Sequence, residues 1–323
     1  MNKCNKAEIM KLCNEINKKS GEGTLYTIDS KHANLKIDRW STGIADLDEI
    51  IGGGVPEGRV IEIFGAEGAG KTSLVYHLCS LHSLCLDIPI EGTFDINRAK
   101  MFGNKPKQML IYRARYGEDA FNKITKFAKA GMPLICVDSV PSMIPKDDVE
   151  KVLKSAEKDS IEQQKLGGVA GLFTKYLPPI EEIIENTGTT ILFVNQIRDK
   201  IGALPFGEQT HTMGGHKLSH ADSLKIRVAR KGWIEIPNKN PKNSALTEKV
   251  GFIMKCKVEK SKVCNPLGEC EIPCFFDRGF VSYDDVQTIR KELMEQRAEM
   301  YSKKKSKEID DEEAEETWED EDE

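Results

Sequence analysis

Residues 65–72 read GAEGAGKT, and this stretch constrains the fold more than any other part of the chain. It fits the pattern G-x-x-x-x-G-K-[ST]. The flanks give that pattern its physical meaning, with the apolar run VIEIF before it and the helix-forming TSLVYHLCSLHS after it. Gly65, Gly68 and Gly70 let the backbone of the loop, including Ala66, Glu67 and Ala69, turn its N–H groups inward on phosphate oxygens. The positive end of the following helix faces the same point. Lys71 is placed to reach the β- and γ-phosphates, Thr72 to set its hydroxyl on Mg²⁺, and Ser73 follows in the same turn. A glycine-rich stretch can be only a turn, but strand, loop and helix here come in the order that a phosphate cradle needs.

The rest of the chain is consistent with such a cradle. From residue 60 the apolar runs VIEIF, LCLDIPI, LICVD, TILFVN and LKIRVA alternate with helix-length segments. That alternation predicts an α/β fold, a mostly parallel central sheet flanked by helices. VGFIMKCKVEK and CEIPCFF read as a hairpin pair at one edge. SYDDVQTIRKELMEQRAEM reads as a helix with Ser282 as N-cap, Asp285 in a capping-box position, and Val286, Ile289 and Leu293 on its apolar face. Near the start, Ile9, Leu12, Cys13 and Ile16 recur at helical spacing before the stop KKSGEG. So short a helix needs something to dock on, either its own domain or a neighbouring copy. The expected organisation is 1–32 as helix and linker, 33–281 as core, 282–301 as a C-terminal helix and 302–323 as a disordered acidic tail.

Magnesium needs a second oxygen ligand. Asp138 ends the apolar run LICVD, where a lone acid is costly unless a cation or hydrogen bonds meet it. Hydrolysis also needs a group that activates a water, and Glu91, closing LCLDIPIE, is the candidate. Both residues also fit the plainer reading of polar strand ends.

Taken together, GAEGAGKT, a glutamate after the next strand, VDSVPSMIPK, and FVNQIRDKIG ahead of a Gly-Gly pair resemble the bacterial and phage RecA-type recombinase family. The upstream STGIADLDEIIGGGVPEGRVIEI and the downstream VEKSKVCNP resemble its other segments, in the family's order, from about residue 7 to 281. The resemblance implies a P-loop NTPase with a RecA-like core that takes ATP and Mg²⁺. It implies ATP and magnesium on Lys71, Thr72 and Asp138, water activation by Glu91, and Asp95 against adenine. Gln196 would sense the γ-phosphate, and Lys260 and Lys262 would complete the site of a neighbouring protomer. It further implies a homo-oligomeric helical filament in which Ile9, Leu12 and Ile16 dock on the next copy. Single-stranded DNA and a homologous duplex are the implied partners, with a single-strand-binding protein and a loader beside them.

Two long connections are the implied DNA-binding loops. The second, about 197–217, carries Arg198 and Lys200, then Phe206, then Gly214 and Gly215. Cations mixed with an aromatic suit a single strand, whose phosphates need neutralising and whose bases need support. The first, about 146–175, ends in KLGGVAGLFTK; Leu172 stands where the family has a basic residue, with Lys175 close by. A mobile loop is the plainer reading of that segment. Arg98 stands where the family has an aromatic stacking on adenine, which leaves nucleotide selectivity open. After residue 281 the sequence is short of the family's usual globular C-terminal lobe, a feature that fits a phage-encoded member.

Charge and cysteine content close the reading. The last sixteen residues hold twelve acids and no Lys or Arg, so residues 1–307 carry 47 basic against 40 acidic groups. An acidic tail on a basic body is either a solubiliser or a competitor for polyanions. No apolar run approaches the ~20 residues of a membrane span, and the N-terminus is too polar for a signal peptide. Nine scattered cysteines predict free thiols in a reducing cytoplasm, nucleoid or host-cell. Cys256, Cys264, Cys270 and Cys274 lack a C-x₂-C pair and are expected to be free thiols rather than a zinc site. The expected function is DNA-dependent ATP hydrolysis coupled to homologous pairing and strand exchange. The alternatives are a paralogue that hydrolyses ATP on DNA as a mediator or loader, and an ATP-switched DNA-coating filament.

Overall fold

The computed structural model describes residues 5–21, 24–27, 37–92, 94–156, 168–199, 210–238 and 247–319. The chain divides into two units, residues 1–38 and 39–323. In the first, α1 (Lys6–Ser20) is a helix with no buried residue, exposing Ile9 and Leu12 and half-exposing Ile16. The Asn17 side chain holds the backbone of Leu25 through both its amide atoms, folding the exit of the helix back on itself.

The second unit is built on one sheet. Its strands are β3 (Val60–Gly65), β4 (Cys85–Pro89), β5 (Met109–Ile111), β6 (Leu134–Asp138), β7 (Thr190–Asp199), β9 (Leu224–Pro237), β10 (Thr247–Ser261), β11 (Glu269–Phe275) and β12 (Gly279–Phe280). Their order across the sheet is β12-β11-β10-β9-β3-β7-β6-β4-β5. From β9 through β5 the pairs are parallel, and from β9 outward to β12 they are antiparallel. The remaining strands are β1 (Arg39–Trp40) and β2 (Val55–Pro56), which pair with each other, and β8 (Thr210–Thr212), which pairs with the end of β7.

Continuous apolar runs form the parallel strands because helices cover both faces. On one face Ile61, Ile63, Cys136, Leu192 and Val194 pack under Leu74, Val75 and Leu78 of α3 (Lys71–Ser80). On the other, Val60, Ile135, Val137, Ile191 and Phe193 meet Phe121 and Ile124 of α5 (Gly117–Lys129) and Phe173, Leu177 and Ile180 of α7 (Gly168–Thr187). A third cluster joins Ile234, Ile236, Val250 and Phe275 to Ile289 and Leu293 of α9 (Val286–Glu319). Ser282 caps the turn into α9 by accepting from the Asp284 N–H, as the sequence predicts for that residue.

Two expectations are corrected. The span 146–175 is not an open loop at its ends: α6 (Lys146–Ala156) and α7 are helices there, and residues 157–167 lie outside the described residues. Val169, Leu172, Phe173 and Leu177 recur at helical spacing and are buried, which overrides the loop signal of the nearby glycines. At the other end of the chain the backbone is helical through Glu319, where a disordered tail from residue 302 is expected. The segment has no Gly or Pro and is rich in Glu and Lys, both compatible with a helix.

Candidate functional site

The loop between β3 and α3 forms one wall of a cavity of about 460 Å³ at the carboxyl end of the parallel strands. Gly70 caps α3 in the left-handed region, at φ 93°. A Cβ there would stand 2.6 Å from Met254 Cε and 2.8 Å from the Phe252 ring, and one on Gly65 would stand 2.1 Å from the Val228 carbonyl oxygen. Glycine is thus required at both positions, for conformation at one and for close approach at the other.

Lys71 is buried, and its Nζ donates to the carbonyls of Gly65 at 3.0 Å and Ala66 at 2.8 Å. Burial lowers its pKa, and Asp138, Glu91 and Glu67 oppose that shift. Thr72 Oγ1 donates to Asp138 Oδ2 at 2.8 Å. The Asp138 carboxyl is pushed up by burial and by Glu91, and held down by the Thr72 hydrogen bond and Lys71. Glu91 lies two residues past the end of β4. Its Oε1 accepts from Gln196 Nε2 at 2.7 Å and from the Ser139 hydroxyl. Thus the sequence candidates Lys71, Thr72, Glu91, Asp138 and Gln196 all line one cavity.

Asp95 caps α4 (Ile96–Met101), accepting from the N–H groups of Asn97 and Arg98 at 2.9 and 3.0 Å. The Arg98 guanidinium donates to Ser73 Oγ at 2.7 Å, so it is tied to the phosphate-loop helix. The cavity is also lined by residues that the sequence did not single out: Tyr76, Asp87, Arg230, Trp233, Phe252 and Phe276. Arg230 donates to the Gly68 carbonyl at 3.2 Å and lies over the Trp233 ring, 4.1 Å from its centroid. Burial pushes the Tyr76 hydroxyl up to about 12 and the Asp87 carboxyl up to about 8. A charged residue inside the apolar run LCLDIPI was the one visible signal for Asp87; the aromatic wall is assembled from distant strands and left none.

The donor set fits MgATP. The cradle is backbone N–H at a helix N-terminus, the cation is Lys71, and the hydroxyl and carboxylates are hard oxygen donors of the kind magnesium takes. Asp87 Oδ1 has no hydrogen-bond partner among the described residues, which leaves a buried acceptor unsatisfied beside the cavity.

From this site β7 leads to the second candidate loop. Beyond Gln196 the strand pairs with β8, matching Ile197 with Thr212 and Asp199 with Thr210. The span 197–217 therefore opens from a short antiparallel stem. Lys200 and Phe206 lie outside the described residues, and for Arg198 only the backbone, opposite His211, is described. Gly214 and Gly215, at φ 98° and 69°, begin α8 (Gly215–Ala221), and a Cβ on Gly215 would stand 2.8 Å from Ala170 Cβ. Lys175 is exposed and lies over the Tyr176 ring.

Asn195 explains the polar ending of this core strand. Its Nδ2 donates to Glu62 Oε1 at 2.9 Å and to the Met213 carbonyl at 2.7 Å, and its Oδ1 accepts from the Met213 N–H. Lys225 adds a bond to Thr212 Oγ1 at 2.9 Å and an ion pair with Glu62 at 2.8 Å. The return of the loop is thereby tied to the strand that feeds the phosphate cradle. Lys260 and Lys262 lie apart from the cavity in this single chain. Lys260 Nζ donates to the carbonyls of Ser219 and, at 2.9 Å, Asp222, and Lys262 Nζ to that of His220, all at the carboxyl end of α8.

The cysteines among the described residues are unpaired. Cys256 faces Cys270 across β10 and β11, and Cys79 Sγ is 3.6 Å from Cys136 Sγ. Among the described residues no helix is long and apolar enough to cross a membrane.

A sequence profile of the RecA N-terminal domain matches residues 7–281. Protein RecA of Campylobacter fetus is 31% identical over 271 residues, covering 82% of this chain and 73% of that protein. Protein RecA of Wolinella succinogenes is 32% identical over 271 residues, covering 82% and 72%. Protein RecA of Mycoplasma genitalium is 33% identical over 288 residues, covering 84% and 79%.

Proposed function

Because this chain belongs to the RecA family, we propose that it is an ATP-dependent DNA recombinase of the cytoplasm. It assembles as a helical filament on single-stranded DNA, hydrolyses ATP between protomers, pairs the bound strand with homologous duplex and exchanges strands. One contact carries this reading: Gln196 Nε2 sits 2.7 Å from Glu91 Oε1. It connects the carboxylate proposed to activate water with the strand from which the long loop hangs. A ligand on the loop can thus move the group that hydrolysis depends on.

In this reading the loop N–H groups and Lys71 hold the phosphates, and Thr72 and Asp138 hold magnesium, which supplies charge neutralisation on the phosphate oxygens. Asp95, Arg98 and Phe276, which line the same cavity, form the slot for the base. Glu91 orients the water and takes its proton, while Gln196 and Ser139 fix the carboxylate by donating to it. Lys260 and Lys262 leave the α8 carbonyls on assembly and enter the neighbouring site, so hydrolysis depends on the filament. Arg198, Lys200, Phe206, Gly214 and Gly215 contact the DNA strand, with Lys175 at the flank. The helix α1 docks on the next copy through Ile9, Leu12 and Ile16.

The test is the ATPase rate with and without single-stranded DNA, followed by a strand-exchange assay. Stimulation by DNA together with product strand is expected. Hydrolysis indifferent to DNA would overturn the reading, and stimulation without exchange would reduce it to a DNA-dependent ATPase that loads or remodels others.

A further inference from the structure

Asp87 is a buried acid to which the reading above gives no task. It lies inside β4, only 2% exposed, and lines the same cavity as Thr72 and Asp138. Strand pairing matches Asp87 with Cys136 and Pro89 with Asp138. Asp87 and Asp138 are therefore diagonal neighbours on one face of the sheet, the face that carries α3.

Among the described residues no cation is spent on it. Lys71 is bound to the carbonyls of Gly65 and Ala66, Arg98 to Ser73, and Arg230 to Gly68. Asp87 Oδ1 has no hydrogen-bond partner among the described residues. A buried carboxylate with an unpaired oxygen in a cavity wall is expensive unless a cation, a donor or a proton comes to it. Its neighbours decide which kind. Thr72 and Asp138 already supply a hydroxyl and a carboxylate, and magnesium characteristically keeps several of its waters, whose hydrogens need acceptors.

We propose that Asp87 is a further member of the divalent-cation site, accepting hydrogen bonds from the water ligands of an ion held by Thr72 and Asp138. This rests on the nucleotide-and-magnesium reading of the cavity and adds a second carboxylate to it. Asp87 thereby sets how tightly the ion is held, beside the two residues that bind it directly.

The experiment titrates the full-length protein with Mn²⁺ in the presence of a non-hydrolysable ATP analogue and follows free Mn²⁺ by its paramagnetic resonance. Asp87→Asn should weaken Mn²⁺ binding by about 10-fold, the scale on which outer partners of a metal act. Binding of the analogue in chelator should stay within about twofold, because no contact to the nucleotide is removed. Asp87→Ser, which leaves room for a water, should shift Mn²⁺ in the same direction and serves if the Asn variant does not fold. Wild-type Mn²⁺ affinity in either folded variant would overturn the role of Asp87 and leave the site reading intact. Failure of the wild-type protein to take up Mn²⁺ with the analogue would overturn both.

Discussion

At the scale of single residues, what could be read in the sequence follows how local each signal is. Lys71 and Thr72 belong to an eight-residue motif whose chemistry is fixed by spacing, and Asp138 ends an apolar run, so all three could be found without a fold. Phe276 reaches the cavity only because β11 places its end there, and Ser139 matters only because the fold sets its hydroxyl against Glu91. Glu91 is the residue on which the proposed chemistry can be tested most directly. Asp138 and Lys71 are both within electrostatic reach of it, and it is held by two donors, so its carboxylate is positioned rather than free. Glu91→Gln keeps the shape and the contact with Ser139 but cannot take a proton. Nucleotide binding should persist and turnover should fall by about 10²–10⁴-fold, the usual worth of a positioned general base. Single-turnover hydrolysis on DNA measures it, and turnover near the wild-type rate would place the base elsewhere.

At the scale of elements, the parallel strands were legible because runs buried on both faces need nothing but apolar residues. The helices α6 and α7 were less so, since Gly167, Gly168 and Gly171 signal a loop while the packing of Phe173 and Leu177 makes a helix. Element α8 was not legible at all as a junction. Asp222 ends it, fully buried, with neither carboxylate oxygen partnered among the described residues. Glu62 of β3 stands beside it, and Lys225 of β9 and Lys260 of β10 are the nearby cations, with Lys262 next to Lys260. Burial pushes the Asp222 carboxyl well above its ordinary value, and Glu62 pushes the same way. The folded chain therefore holds a proton there that the unfolded chain releases near the usual pKa of an aspartate, about 3.9. Stability from this group is then full below that value and is lost as pH rises toward the folded pKa, at up to about 1.4 kcal/mol per pH unit. Asp222→Asn should remove that slope and be the more stable protein at neutral pH. Urea unfolding of both proteins between pH 4 and 8 provides the comparison, and parallel curves would mean that Asp222 is charged in the fold.

At the scale of the whole molecule, the basic body and the acidic end are the widest feature of the sequence, and the one it leaves least decided. Charge counts show that residues 308–323 carry twelve acids, but not where those acids are held. The helical backbone of α9 settles part of this, because it carries the acidic segment as a continuation of a helix whose first turns, at Ile289 and Leu293, pack on β9 and β10. An anionic extension anchored to a body with 47 basic against 40 acidic groups competes with DNA for the same cations, provided it reaches them. Deleting residues 308–323 should therefore strengthen duplex binding at low salt. The gain should shrink as salt rises, because screening weakens the tail and the duplex alike. Fluorescence anisotropy of a labelled duplex between about 50 and 200 mM salt measures both effects, over the range where phosphate contacts change affinity most. Two converging lines, with the deleted protein binding tighter at the low end, identify the tail as a competitor. Coincident lines at every salt concentration would leave it as a solubilising end with no part in DNA binding.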